Sequence, residues 1–166
     1  MLDDSKRLSQ SAREALSGVI LARAEQVVVQ SASARRIDLD GLHRTNLRLL
    51  AGAVAMLRPA PDIALVDGFR LPSGSPPHRA IIRGDQTSAA VAAASVIAKT
   101  VRDRLMRQLA RDAHPGYGFE DHVGYGTQAH RAHLASRGPC ALHRRSFQWS
   151  LEDASLVVEL IGEPDT

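Results

Sequence analysis

Cysteine occurs once in the 166 residues, as Cys140. That excludes an internal disulfide and any zinc site built on cysteine ligands. Aromatic residues make up 4%, so a core has to rest on Ala, Leu, Val and Ile. No apolar run approaches the roughly 20 residues a helix needs to cross a bilayer. The opening Met1-Leu2-Asp3-Asp4-Ser5-Lys6 lacks the basic-then-apolar pattern of a signal peptide. A cytoplasmic protein with no membrane partner is therefore expected. Lysine is almost missing: of 21 basic residues only Lys6 and Lys99 are Lys, and the rest are Arg. The two that survive mark places where a compact ammonium is needed rather than a planar fork.

What is present is ordinary for a globular chain, with 44% apolar and 23% charged residues. The length suits one compact domain. The net charge of +3 and pI near 9.6 favour a polyanionic partner such as nucleic acid, or simply a solvated basic surface.

Along the chain, Ser9 or Ser11 can cap a first helix, Ser11 having capping-box spacing to Glu14. Ala12, Ala15, Leu16, Val19 and Ile20 follow helical periodicity. Gln26 to Ser31, around Val27-Val28-Val29, reads as a short buried strand. A helix over Leu42 to Leu57 ends at Arg58-Pro59-Ala60-Pro61. Ile63-Ala64-Leu65-Val66 is an uninterrupted apolar run that suits a strand covered on both faces, and it ends in Asp67-Gly68. Leu71 to His78 is a loop, and Ala80-Ile81-Ile82 a second short strand ending at Arg83-Gly84-Asp85. A long helix is predicted over Ser88 to Asp112, a glycine-rich loop over His114 to Gly126, and a helix capped by Thr127 that runs to Arg137. A last helix or a frayed tail covers 151–166. The whole reads as one α/β domain over 1–150.

Asp67 ends one predicted strand and Asp85 follows another. If the strands are neighbours, both carboxylates project from one sheet edge, where ligands collect in α/β folds. Carboxylates without Cys or His partners select hard cations, Mg²⁺ or Mn²⁺. Asp-Gly and Gly-Asp are also common turn chemistry, so at this point each residue is a turn former or a ligand. His130 and His133 are three apart on a predicted helix, but no third ligand is implied nearby, and structural or surface roles are expected of them.

The order of segments carries more. Asp4-Ser5-Lys6-Arg7-Leu8-Ser9, Leu65-Val66-Asp67-Gly68, Arg83-Gly84-Asp85, and Ala92-Ala93-Ala94-Ser95-Val96-Ile97-Ala98-Lys99 with Arg102-Asp103 occur in that order. They are followed by Gly116-Tyr117-Gly118-Phe119 through His122-Val123-Gly124-Tyr125-Gly126-Thr127 with His130, and by His143-Arg144-Arg145-Ser146-Phe147. This series resembles the bacterial ribonuclease HII family, and both lysines fall inside it.

The resemblance implies a ribonuclease H-like mixed sheet flanked by helices. It implies an endonuclease acting on RNA–DNA hybrids and on ribonucleotides embedded in duplex DNA. Two divalent ions, Mn²⁺ or Mg²⁺, would leave 3′-hydroxyl and 5′-phosphate ends. The setting would be ribonucleotide removal during DNA replication and repair, by a monomer. Asp67 and Asp85 would be metal ligands. Asp103 would lie near the site, or form a salt bridge with Arg102 or Arg107. Ser5, Lys6, Arg7, Arg83 and Lys99 would contact substrate, and Tyr125 would pack on the sugar beside the cut. The family also has a D-E-x-G-R-G strand ahead of its D-S-K segment, which this sequence does not contain. The first strands and two carboxylates are therefore expected to be missing from the chain. On that expectation the chain alone is nearly inactive, or at most binds duplexes through Lys6, Arg83 and Tyr125.

Overall fold

The computed structural model describes residues 8–147. Contacts divide the chain into two compact units, Met1–Val101 and Arg102–Thr166. Ser5, Lys6, Arg7 and the tail expected over 151–166 lie outside the described residues.

The first unit opens with α1 (Gln10–Arg23). Ser9, not Ser11, is its cap: Ser9 Oγ accepts from the Ala12 amide at 3.2 Å. Ser11 instead shares a hydrogen bond with Ser9, and Glu14 accepts from Gln10, so the expected capping box does not form. The expected strand at Val27–Val29 is likewise not one. β-branching supplies propensity, but a strand exists only when a neighbour pairs with it, and none among the described residues does. The segment is held by side chains: Gln26 Oε1 accepts from the Arg58 amide at 2.6 Å, and the Gln30 amide lies over Gly52. A Cβ at Gly52 would come within 2.7 Å of Gln30 Oε1, so a larger residue there would displace the end of the Gln30 side chain.

A short helix that periodicity had not indicated follows, α2 (Ala34–Asp40). Ser33 Oγ caps it by accepting from the Arg36 amide, and Gly41, at φ 82°, turns the chain into α3 (Leu42–Met56). Asp40 ties the two helices, pairing with Arg36 at 2.6 Å and Arg48 at 2.5 Å.

Two strands then pair in parallel, β1 (Ala64–Asp67) with β2 (His78–Ile81), Ala64 opposite His78 and Asp67 opposite Ile81. The second strand begins two residues earlier than its apolar run. His78 accounts for this: its Nε2 accepts from the Leu71 amide and its Nδ1 donates to the Pro76 carbonyl, fixing the loop on which β2 starts. The α/β class holds. The sheet expected to be mixed shows only parallel pairing among the described residues. After β2 come α4 (Gly84–Thr87) and α5 (Ala89–Ala113). Val66, Leu71, Val91, Ala92, Val96 and Ile97 make the buried core of this unit.

The second unit holds the C-terminal part of α5, then α6 (Phe119–His122) and α7 (Gln128–Arg137). α6 is a single turn inside the segment expected to be all loop. Thr127 caps α7 as predicted, its Oγ1 accepting from the His130 amide at 3.2 Å, and Gly138 ends it. The core is Ala110, Phe119, Val123 and Leu134, with His122 and His130 buried among them. No helix among the described residues is long and apolar enough to cross a membrane.

Candidate functional site

Parallel pairing sends the C-terminal ends of β1 and β2 to one edge. Asp67 is the last residue of β1. Beyond β2 the chain turns through Arg83, in the left-handed region at φ 54°, into α4, whose first turn carries Asp85. The two segments are joined directly: the Gly84 amide donates to Asp67 Oδ1 at 2.8 Å. Asp67 therefore reaches the residue just before Asp85, as the neighbouring-strand reading required. It also does the work of a turn former, since its carboxylate closes this connection. Asp67 is exposed and Asp85 half-buried.

Space around Gly84 is tight. A Cβ there would lie 3.1 Å from Val91 Cγ1 and 3.2 Å from Asp67 Oδ1. Gly84→Ala is expected to lower the stability of the chain by about 1–3 kcal/mol through overpacking. Urea denaturation checks this; a midpoint equal to wild type would mean that the edge yields without cost.

The donor chemistry at this edge, carboxylates without cysteine or imidazole, suits Mg²⁺ or Mn²⁺. The number of donors is small. Among the described residues no group of three or more His, Cys, Asp or Glu side chains is arranged to hold a metal. An ion carried by Asp67 and Asp85 would take most of its coordination from water. Arg83 is exposed beside this edge in sequence, and Lys99 is half-buried on α5. A groove of about 530 Å³ between α3 and residues 72–76 has walls that include neither aspartate.

In the second unit Asp103 is buried on α5, 4% exposed, with its Oδ1 3.0 Å from Arg102 Nη1. Arg102, one of the two arginines that spacing offered, pairs with it; Arg107 Nε donates to the Glu120 carbonyl. The Arg102 guanidinium carbon lies 4.7 Å from the centroid of the Tyr125 ring, a cation–π contact. Tyr125 is 48% exposed and its backbone is held at both ends. Its amide donates to the His122 carbonyl at 2.8 Å, and its carbonyl accepts from the Thr127 amide at 2.7 Å.

Helical spacing singles out His130 and His133 as a pair, but the structure joins His130 to His143. Their Nε2 atoms are 3.0 Å apart, and His130 Nδ1 lies 3.0 Å from the Tyr125 carbonyl. His143 Nδ1 accepts from the Cys140 amide at 3.0 Å, with Cys140 Sγ at 3.2 Å. His122 stacks on His130, ring centroids 4.4 Å apart. Burial lowers His130 to about 4, against the hydrogen bond to Tyr125, and burial lowers His143 as well. Nothing in local spacing relates positions 130 and 143, which meet after the chain turns at Gly138, the end of α7.

The Ribonuclease HII family profile matches residues 1–150. Ribonuclease HII of Brucella suis (strain ATCC 23445 / NCTC 10510) is 50% identical over 148 residues, covering 88% of this chain and 67% of that protein. Ribonuclease HII of Nocardia farcinica (strain IFM 10152) is 48% identical over 149 residues, covering 89% of this chain and 58% of that one. The crystal structure of the ribonuclease H2 from Pyrococcus horikoshii OT3 superposes with a TM-score of 0.66 at 20% identity, over 96% of this chain and 81% of that one. That likeness shows the fold.

Proposed function

The chain belongs to the ribonuclease HII family, a family of ribonuclease H enzymes, and from that premise we propose that it is an endonuclease for RNA–DNA hybrids and for ribonucleotides embedded in duplex DNA. The observation that supports this most is the meeting of Asp67 with the Gly84-Asp85 turn at one edge of a parallel pair. In this reading Asp67 and Asp85 hold the divalent cation, Mn²⁺ or Mg²⁺. The Gly84 amide fixes the direction of the Asp67 carboxylate. Arg83 and Lys99, with Ser5, Lys6 and Arg7, bind backbone phosphates. Tyr125 packs on the ribose beside the cut, where the 2′-hydroxyl distinguishes RNA from DNA. Asp103 serves the site by orienting Arg102 against Tyr125. What divalent ions supply when bound is a more acidic attacking water and relief of charge at the leaving 3′-oxygen. The protein works as a cytoplasmic monomer in ribonucleotide removal.

One observation favours a second reading, duplex binding without turnover: no three metal-ligating side chains come together among the described residues.

Asp67→Asn separates the two. The asparagine carbonyl still accepts from Gly84 while the charge is gone. On a duplex with one embedded ribonucleotide and Mn²⁺, the first reading has wild type leave 3′-hydroxyl and 5′-phosphate ends, and the second has it bind without cleaving. The variant should be slower by about 100-fold or more, the loss of several kcal/mol of charge stabilisation. Salt-sensitive binding by both proteins with no cleavage by either would establish the second reading. Absence of binding would end both.

A further inference from the structure

The hydrogen bonds that run from Cys140 to Tyr125 permit one arrangement of protons. The Tyr125 carbonyl can only accept, so His130 carries its proton on Nδ1. His130 Nε2 is then an acceptor, and His143 must supply the proton between them from its own Nε2. That leaves His143 Nδ1 to accept, and the Cys140 amide donates to it. The array therefore points one way, from the Cys140 amide through two neutral imidazoles to the carbonyl of Tyr125. His122 completes it from the other side, accepting the Tyr125 amide on its own carbonyl. His122 Nδ1 accepts from the Gly124 amide at 3.1 Å, and its Nε2 donates to the Tyr117 carbonyl at 2.8 Å. A buried histidine serving only as core filler needs no such sequence of partners. Here both nitrogens of all three rings are used, and the array ends on the one exposed tyrosine that contacts Arg102.

We propose that His143 and His130 are positioning residues that set the backbone of Tyr125, and so the presentation of its ring to a ribose, through a one-way array of hydrogen bonds. This rests on the reading of Tyr125 given under the proposed function. Desolvation keeps both rings neutral near pH 7, the state the array demands.

Isosteric variants of the full chain test the idea. In His143→Gln an amide N–H takes the place of Nε2–H, so the bond to His130 survives; His143→Ala removes it. Binding at pH 7 to a duplex with one ribonucleotide, and to the same duplex in all-DNA form, is read by fluorescence anisotropy. Tyr125→Ala is carried alongside. The preference for the ribonucleotide duplex is expected to fall about tenfold in His143→Ala, the effect of one broken buried hydrogen bond, and to return in His143→Gln. Affinity for the all-DNA duplex should stay within about twofold of wild type in both. Imidazole ¹⁵N shifts should show Nδ1–H on His130 and Nε2–H on His143. A preference kept in His143→Ala but lost in Tyr125→Ala would overturn the positioning role and leave the reading of Tyr125 standing. A preference unchanged in Tyr125→Ala would overturn both. Equal losses on both duplexes, not recovered by Gln, would reduce the two histidines to packing. Should His143→Ala fail to fold, amide exchange at Tyr125 and Thr127 in His143→Gln and His130→Gln decides, since Gln at 130 reaches the place of Nε2 and leaves the Tyr125 carbonyl without its donor: protection like that of wild type in the first and loss in the second is expected, and the same outcome in both, kept or lost, overturns the proposal.

Discussion

Acidification from pH 7 to pH 4 is expected to destabilise the chain by about 3 kcal/mol through His130 alone. His130 is 6% exposed, so solvent does little to screen the effect, and its pKa falls from 6.5 to about 4. Burial is the main cause. His122, His143 and His133 add repulsion, and the hydrogen bond to Tyr125 opposes both. Because the folded pKa lies below the unfolded one, the unfolded chain binds the extra proton between about pH 6.5 and pH 4. The contribution is full above 6.5, falls as pH drops through that window, and is exhausted below about 4. Burial of His143 acts in the same direction. Protonation also places two N–H groups against each other where His130 and His143 now share one proton. Urea unfolding of wild type and His130→Asn at pH 7, 5.5 and 4 isolates the effect from that of the carboxylates. The variant should lack up to about 1.4 kcal/mol of pH dependence per unit within the window. Parallel pH profiles for the two proteins would refute it.

Phe119→Ala is expected to cost about 3–5 kcal/mol, the largest effect of a single change in the second unit. The ring is 1% exposed and is the hub of that core. It stacks on Tyr117, centroids 5.4 Å apart and planes 9° from parallel. His122 and His130 meet it edge-on at 5.6 and 5.5 Å. Few residues stand ready to fill the space, because the chain has only three Phe, two Tyr and one Trp. Against a typical stability of about 5–15 kcal/mol, such a loss leaves little in reserve. Phe119→Leu, which keeps most of the volume, should cost less than half as much. Thermal unfolding followed in the near-ultraviolet checks both. Similar midpoints for Phe119→Ala and wild type would show that this core closes around the cavity.

Long periodic segments were legible in the sequence. α3, α5 and α7 lie within a residue of their expected bounds, because each is long enough to show helical composition or period, and α7 also has the Thr127 cap and Gly138 stop expected of it. The class of the fold and the shared edge of Asp67 and Asp85 also followed from order and apolar runs. Val27–Val29 did not behave as its composition suggested, since pairing depends on a partner that propensity does not supply. α2, α4 and α6 were invisible because one or two turns hold too few residues to show a period. α2 rests on its Ser33 cap and the Arg36–Asp40 pair, and α4 on the turn at Arg83. The array from Cys140 to Tyr125 was unreadable for another reason. Its members come from separate segments, and the direction of each bond depends on which ring nitrogen faces which group.

At the end of β1, positions 67, 84 and 91 share a single volume. The absent side chain of Gly84 leaves room for both the Asp67 oxygen and the Val91 methyl, each of which would have to give by a few tenths of an ångström to a Cβ there. Change at one of these positions is therefore constrained by the other two, and their mutational effects should not add. A larger residue at 84 should be better tolerated when Val91 is trimmed than when Asp67 is shortened, since the second change forfeits the bond to the Gly84 amide. The candidate metal edge thus depends on a buried aliphatic side chain, and drift in the core at Val91 reaches the chemistry without changing a charged residue.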